Sequence, residues 1–221
     1  MTDGSSRVSA AVPPLKVSLR LPSLGVVGPF LALLAACAFF AAQSPRFLTG
    51  DNLSLVLQQV MVVGVIAIGQ TLVILTAGID LSCGMVMALG GIVMSRMAAE
   101  HGFPAPAAIA IGIGATTLVG LANGVLVTAF RLPPFIVTLG TLNIAFAATQ
   151  LYSDAQTVTN LPPGMTVLGA TFHLGSTEFV YGVVLMLFLY AVAWFALRET
   201  AGGRHVSAIG DNAEAARLAG I

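Results

Sequence analysis

The chain has 221 residues, 57% hydrophobic and 8% charged, with nine basic residues balancing nine acidic ones. Soluble domains carry roughly 25% charged residues, so this composition, with a mean hydropathy of +0.96, excludes a soluble globular domain and predicts a polytopic membrane protein lying in a lipid bilayer. Balanced charge implies no nucleic-acid partner, and a lone lysine, Lys16, excludes a phosphate-cradling Gly-x-x-x-x-Gly-Lys-Ser/Thr loop.

Residues 1–22 are polar and basic (Arg7, Lys16, Arg20) and read as a cytoplasmic N-terminal tail. The first apolar span covers 25–43. Its Leu34-Ala35-Ala36-Cys37 resembles a lipoprotein cleavage box, but the residues after Cys37 stay hydrophobic and the run exceeds a signal h-region of about 7–15 residues. Cys37 and Cys83 both sit in apolar stretches, and the three histidines are scattered, so neither a disulfide, a metal nor a cofactor is expected. Asn52 or Ser54 is placed to cap a second span over 53–77, which carries Gln58, Gln59, Gln70 and Thr71. Polar side chains at membrane depth face protein or water rather than lipid. Interhelical hydrogen bonding is the preferred reading of these four, with substrate contact as the alternative.

Thr76–Gly84 interrupts the apolar pattern with almost no loop and sets one acid, Asp80, between two long runs. Asp80 is expected to cap the third span, 81–98, through the N–H groups of Ser82 and Cys83. A pathway-lining role is compatible with that, because irregular backbone at this depth is tolerated only inside protein or beside a cavity. An alternative joins the second and third spans into one broken element around Asp80. The third span presents Gly84, Ala88, Gly91 and Ser95 on one stripe. The fourth, 105–129, presents Ala108, Gly112, Thr116, Gly120 and Gly124 at four-residue spacing. Small residues at that period let helices approach closely. Asn123 lies beside the stripe and is expected to bond a neighbouring helix. Pro133 and Pro134 open the fifth span, 135–151, where missing N–H groups cost least; it includes Thr138, Thr141 and Asn143. Residues 152–176 read as a polar connection, and 178–197 as the sixth span, with Trp194 and Arg198 at its far interface. The fold class predicted is all-α, a transmembrane bundle of about six spans over 23–198.

The terminal segment, 199–221, contains a short helix with both ends written in. Asp211 is placed to cap it, with Asn212 and Ala213 following. Glu214, three residues on, can close a capping box. Ala215, Ala216, Arg217 and Leu218 form its body, and Gly220 stands where a left-handed C-terminal residue is wanted. A helix this short is marginal alone and is expected to lie against a soluble partner. With the N-terminus inside, seven basic residues (Arg7, Lys16, Arg20, Arg131, Arg198, Arg204, Arg217) fall inside and two, Arg46 and Arg96, outside. That puts the terminal helix in the cytoplasm.

Three stretches in order resemble ribose-type ABC importer permeases: Gln70–Ser82 (QTLVILTAGIDLS), Leu132–Thr141 (LPPFIVTLGT) and Ala208–Ile221 (AIGDNAEAARLAGI). The resemblance implies a non-enzymatic permease subunit of a bacterial inner membrane. It also implies a cytoplasmic ATP-binding subunit, a periplasmic or extracellular sugar-binding protein, and a second permease subunit, identical or different. Asp211–Leu218 with Gly220 would then be the coupling helix, and Gln59, Gln70, Asp80, Ser82, Thr138 and Asn143 candidates for the pathway or its gate. Family members continue with further spans beyond this helix, so the chain is expected to be shortened at its C-terminus. Against a sugar permease stand an ion-coupled secondary transporter, which needs ionisable groups inside its spans, and a membrane scaffold without transport.

Overall fold

The computed structural model describes residues 24–221; the expected tail, 1–22, lies outside them. Helix α1 (Leu24–Gln43) and the turn after it form a unit of their own. Ser44 donates its N–H to the Phe40 carbonyl, and the Phe40 ring stacks on Phe47 at 5.8 Å. Phe30, Leu31 and Leu33 of α1 are largely exposed, as a lipid-facing helix requires.

The second unit holds the remaining helices. They are α2 (Gly50–Leu75), α3 (Cys83–Ala99), α4 (Ala105–Thr128), α5 (Pro134–Ser153), a four-residue α6 (Pro163–Thr166), α7 (Tyr181–Glu199), α8 (Ala201–Asp211) and α9 (Ala213–Leu218). Helices α2, α4, α5 and α7 are each long and apolar enough to cross a membrane, and Val27–Gln43 of α1 and Cys83–Ala99 (α3) are shorter apolar stretches of helix. The architecture is the expected all-α polytopic bundle.

Apart from an apolar cluster of Val180, Val183 and Met186 against Leu57 and Met61 of α2, its interior is built largely of small and polar residues, and most of its large apolar side chains point outward. Ala98, Ala108, Ala145, Ser54, Ser82, Asn123, Thr138 and Ser153 are buried, whereas Leu118, Leu121, Ile144 and Leu151 are exposed. Lipid is as apolar as leucine, so burial of large side chains gives helices little reason to associate; close backbone approach and interhelical hydrogen bonds do. Helix α3 packs along both α4 and α5. The closest approach is at Gly90 and Gly112: a β-carbon built on Gly112 would lie 2.8 Å from the Gly90 carbonyl oxygen. On α4 the contact uses two of the expected stripe positions, Gly112 and Thr116, whereas on α3 it falls on Gly90, which is not on the expected stripe. Gly84, Gly91, Gly120 and Gly124 each have open space where a side chain would go.

Helix α2 packs on α7, with Met186 seated over Gly64 and Met61 over Gly182. Its cap is Thr49, whose Oγ1 accepts the Asn52 N–H at 3.4 Å, rather than Asn52 or Ser54. Ser54 instead donates its hydroxyl to the Glu178 carbonyl. Glu178 belongs to a feature not expected in the 152–176 connection, an antiparallel hairpin of β1 (Thr171–Leu174) and β2 (Thr177–Val180). The sixth span accordingly starts at Tyr181, not 178. Phe172, Phe179 and Tyr181 cluster on one face of the hairpin, Phe172 lying 6.1 Å from the Phe179 ring and 5.0 Å from Tyr181.

Candidate functional site

Residues 76–82 cross from α2 to α3, and the interior hydrogen bonds of four helices converge on them. Ala77 takes a left-handed φ of +57°, which ends α2 and turns the chain. Asp80 Oδ1 then accepts both the Ser82 N–H at 2.7 Å and the Ser82 hydroxyl at 2.6 Å. The expected cap is met in part: Asp80 accepts the Ser82 N–H but not that of Cys83, because the helix begins at Cys83, two residues later than expected, with Ser82 as a cap residue whose side chain makes no cap bond. Gln70 of α2 reaches across, donating its Nε2 to the Asp80 carbonyl at 2.5 Å and to Cys83 Sγ at 3.2 Å. From α5, the Thr138 hydroxyl bonds the Pro134 carbonyl of its own helix at 2.8 Å and approaches the Ile79 carbonyl at 3.3 Å.

Asn123 of α4 completes the cluster. Its Nδ2 donates to Ser82 Oγ at 3.1 Å, and its Oδ1 accepts from the Thr141 hydroxyl of α5 at 2.5 Å. Ser82 is 1% exposed, Thr138 4% and Asn123 8%. Among the described residues, no buried side-chain nitrogen or oxygen lacks a partner. The sequence singled out Gln70, Asp80, Ser82 and Thr138, and the fold brings these four together. It does not bring Gln59 or Asn143 to them. Both are exposed, and the Asn143 amide bonds the Leu139 carbonyl one turn back at 2.9 Å. Asn123 and Thr141 were not among the site candidates. The signal for Asn123 was present: an amide in the middle of an apolar span must find a partner.

Two recesses flank this cluster. The larger, about 620 Å³, is bounded by α2, α3 and α4 and includes Gln70, Cys83, Met87 and Thr116 in its walls. The smaller, about 470 Å³, includes Thr76, Thr138, Pro134 and, from α8, Ile209.

Helix α8 links the cluster to the end of the chain. It folds back after α7 at Thr200, whose Oγ1 caps it by accepting the Gly203 N–H at 3.2 Å. Gly210, near its far end, lies against the Leu75 carbonyl at the last turn of α2, where no side chain would fit. Asp211 is the last residue of α8 and does not cap the next helix. Asn212 does, its Oδ1 accepting the Ala215 N–H at 3.0 Å. Glu214 does not reach back either. It pairs with Arg217, whose Nη2 donates at 2.6 Å and Nε at 3.1 Å. That bond holds the Glu214 carboxyl below its ordinary pKa and raises Arg217 above its own. Gly220 has a φ of +84°, the left-handed stop expected of it. Ala216 is buried; Leu218 is 76% exposed.

Residues 52–221 match the family described as branched-chain amino acid transport system, permease component. The chain is 42% identical over 199 residues to the fructose import permease protein FrcC of Rhizobium meliloti, an alignment covering 87% of this chain and 55% of that one. It is 36% identical over 193 residues to the ribose import permease protein RbsC of Escherichia coli K12, covering 86% and 60%. It is 31% identical over 192 residues to the autoinducer 2 import system permease protein LsrC of an Enterobacter strain, covering 87% and 55%. The chain thus spans little more than half the length of these relatives. No solved structure matches it. The matched stretch takes in α2 but for its first two residues and every element after it, and the chain belongs to this family of import-system permease components.

Proposed function

We propose that the chain is the membrane-spanning permease subunit of a binding-protein-dependent ABC importer for a monosaccharide or a similar polar molecule, powered by ATP hydrolysis on a partner subunit. The observation that carries this is the 42% identity, over 199 residues, to a relative named as a fructose import permease. The buried amide and hydroxyl cluster between two recesses supports it, since a polar solute crossing lipid needs hydrogen-bonding groups to replace its water. An ion-coupled transporter fits less well. Asp80 is the acid at the cluster, and its carboxylate is committed to Ser82.

In this reading α9, with its cap Asn212 and its stop Gly220, is the docking element for the ATP-binding subunit, and α8 transmits its motion to α2 through the Gly210–Leu75 contact. The distribution of basic residues supports a cytoplasmic position for both helices and an N-terminus inside, in a bacterial inner membrane. A second permease subunit completes the pathway, and a sugar-binding protein delivers cargo on the opposite face. The test is uptake of labelled fructose and ribose into vesicles containing the chain with its ATP-binding and sugar-binding partners. ATP-dependent accumulation is expected. Uptake driven equally well by an ion gradient without ATP refutes the reading.

A further inference from the structure

We propose that Ser82, Asn123 and Thr141 form a hydrogen-bonded latch closing a passage between the two recesses, with Asn123 as the positioning residue that holds it; the proposal rests on the permease reading. The recesses share Val73, Asp80, Gly120 and Asn123 in their walls. One layer of residues therefore separates them. Gly120 adds no side chain to that layer, and a β-carbon built there meets nothing within 4 Å. The side chains at the layer are Val73, the Asp80 carboxylate and the Asn123 amide, and of these the amide is tied to both α3 and α5.

The chemistry of the latch matches a polyhydroxylated neutral cargo. A layer closed by large apolar groups offers such a solute nothing in exchange for its hydration. An asparagine amide held by two hydroxyls can trade those bonds for cargo hydroxyls or water at small net cost, because hydrogen bonds are exchanged rather than lost. The supports on either side are fixed separately: Gln70 holds the Asp80 carbonyl, and Thr138 approaches the Ile79 carbonyl. The Asn123 side chain can therefore turn without releasing the 76–82 crossing.

The test uses the native thiol Cys83, which lines the larger recess. With Cys37→Ser it is the one cysteine of the chain. A charged, membrane-impermeant thiosulfonate is applied to vesicles holding the assembled importer, on the face that carries α8, and modification of this chain is followed by mass. Thr141→Val and Asn123→Ala are each expected to raise the Cys83 labelling rate about tenfold, the factor that one net hydrogen bond supplies at the upper end of its range. Thr141→Ser keeps the hydroxyl and labels at the parental rate. Parental rates in both weakened variants, or Thr141→Ser rising with Thr141→Val, overturn the latch. If Asn123→Ala does not reach the membrane, the Thr141 pair decides alone. Thiol labelling needs no uptake. A chain that imports sugar with parental labelling in the variants sinks the latch alone; the expected labelling without sugar uptake sinks the cargo assignment alone.

Discussion

Asp80 is a carboxylate used as a local hydrogen-bond acceptor, through one oxygen and to one residue, Ser82. An asparagine side chain offers an oxygen in the same place. Asp80→Asn is therefore expected to leave thermal stability in detergent nearly unchanged, whereas Asp80→Ala costs about 1 kcal/mol, the net worth of an ordinary hydrogen bond. A large and equal loss in both variants contradicts the acceptor role. The Glu214–Arg217 pair makes a second prediction. Arg217 lowers the Glu214 pKa from its ordinary value of 4.5. A carboxyl depressed by folding contributes stability above its ordinary pKa and loses that contribution as pH falls through the lowered one. Arg217→Gln is expected to move Glu214 back up, read from the carboxyl chemical shift during titration. Glu214→Lys sets two cations three residues apart, and on the proposed docking role of α9 is expected to weaken co-purification of an ATP-binding subunit while membrane insertion persists. What the sequence disclosed at this scale was chemical type more than address. An acid after Gly78 had to find donors, and it did. Asp211 and Asn212 are both good caps, however, and only the fold of α8 decides that Asn212 takes the role.

At the scale of elements, hydropathy placed all six apolar helices to within a few residues, because twenty apolar residues in a row have few other uses. The hairpin and α8 were not foreseen, for different reasons. Strands β1 and β2 have four residues each and owe their existence to α2: Ser54 bonds the Glu178 backbone, and Thr177 sits against Gly50. No local pattern encodes such a support. Helix α8 begins at Ala201-Gly202-Gly203, and glycines disfavour helix locally. The fold overrides this because the chain doubles back against the last carbonyls of α7, where Gly203 is buried. The small-residue stripe on α4 was legible as a stripe but not as to which positions touch. Gly112→Leu is expected to destabilise assembly by about 1–3 kcal/mol, the usual cost of overpacking, because Gly90 and Met94 leave no room there. Gly120→Leu, facing open space, is expected to assemble normally in detergent yet lower uptake by filling the layer between the recesses. Equal assembly defects in the two variants contradict the distinction.

At the scale of the whole second unit, two packing groups stand out. Helices α3, α4 and α5 hold one another through Gly90, Gly112 and Asn123, and Arg96 at the far end of α3 binds Glu100 at 2.5 Å and the Tyr152 carbonyl of α5. Helix α2 instead packs with α7, the hairpin and α8, and meets α3 over a short stretch beside the 76–82 crossing. The larger recess lies along that seam. If α9 docks the proposed ATP-binding subunit, its motion reaches α2 first, through α8 and Gly210, and the expected response is a shift of the α2 group against the α3–α5 group, with Gln70 and Cys83 on opposite sides. Their side chains meet at 3.2 Å. In a Cys37→Ser background, Gln70→Cys places a second thiol facing Cys83, and a short bifunctional thiosulfonate then fastens α2 to α3. The cross-linked importer is expected to lose most of its uptake while still binding its ATP-binding partner, and to regain uptake when the linker is cleaved by reductant. Full uptake in the cross-linked state shows that the seam stays closed throughout transport. In that case the two groups move as one body, and the coupling motion has to be sought outside this unit.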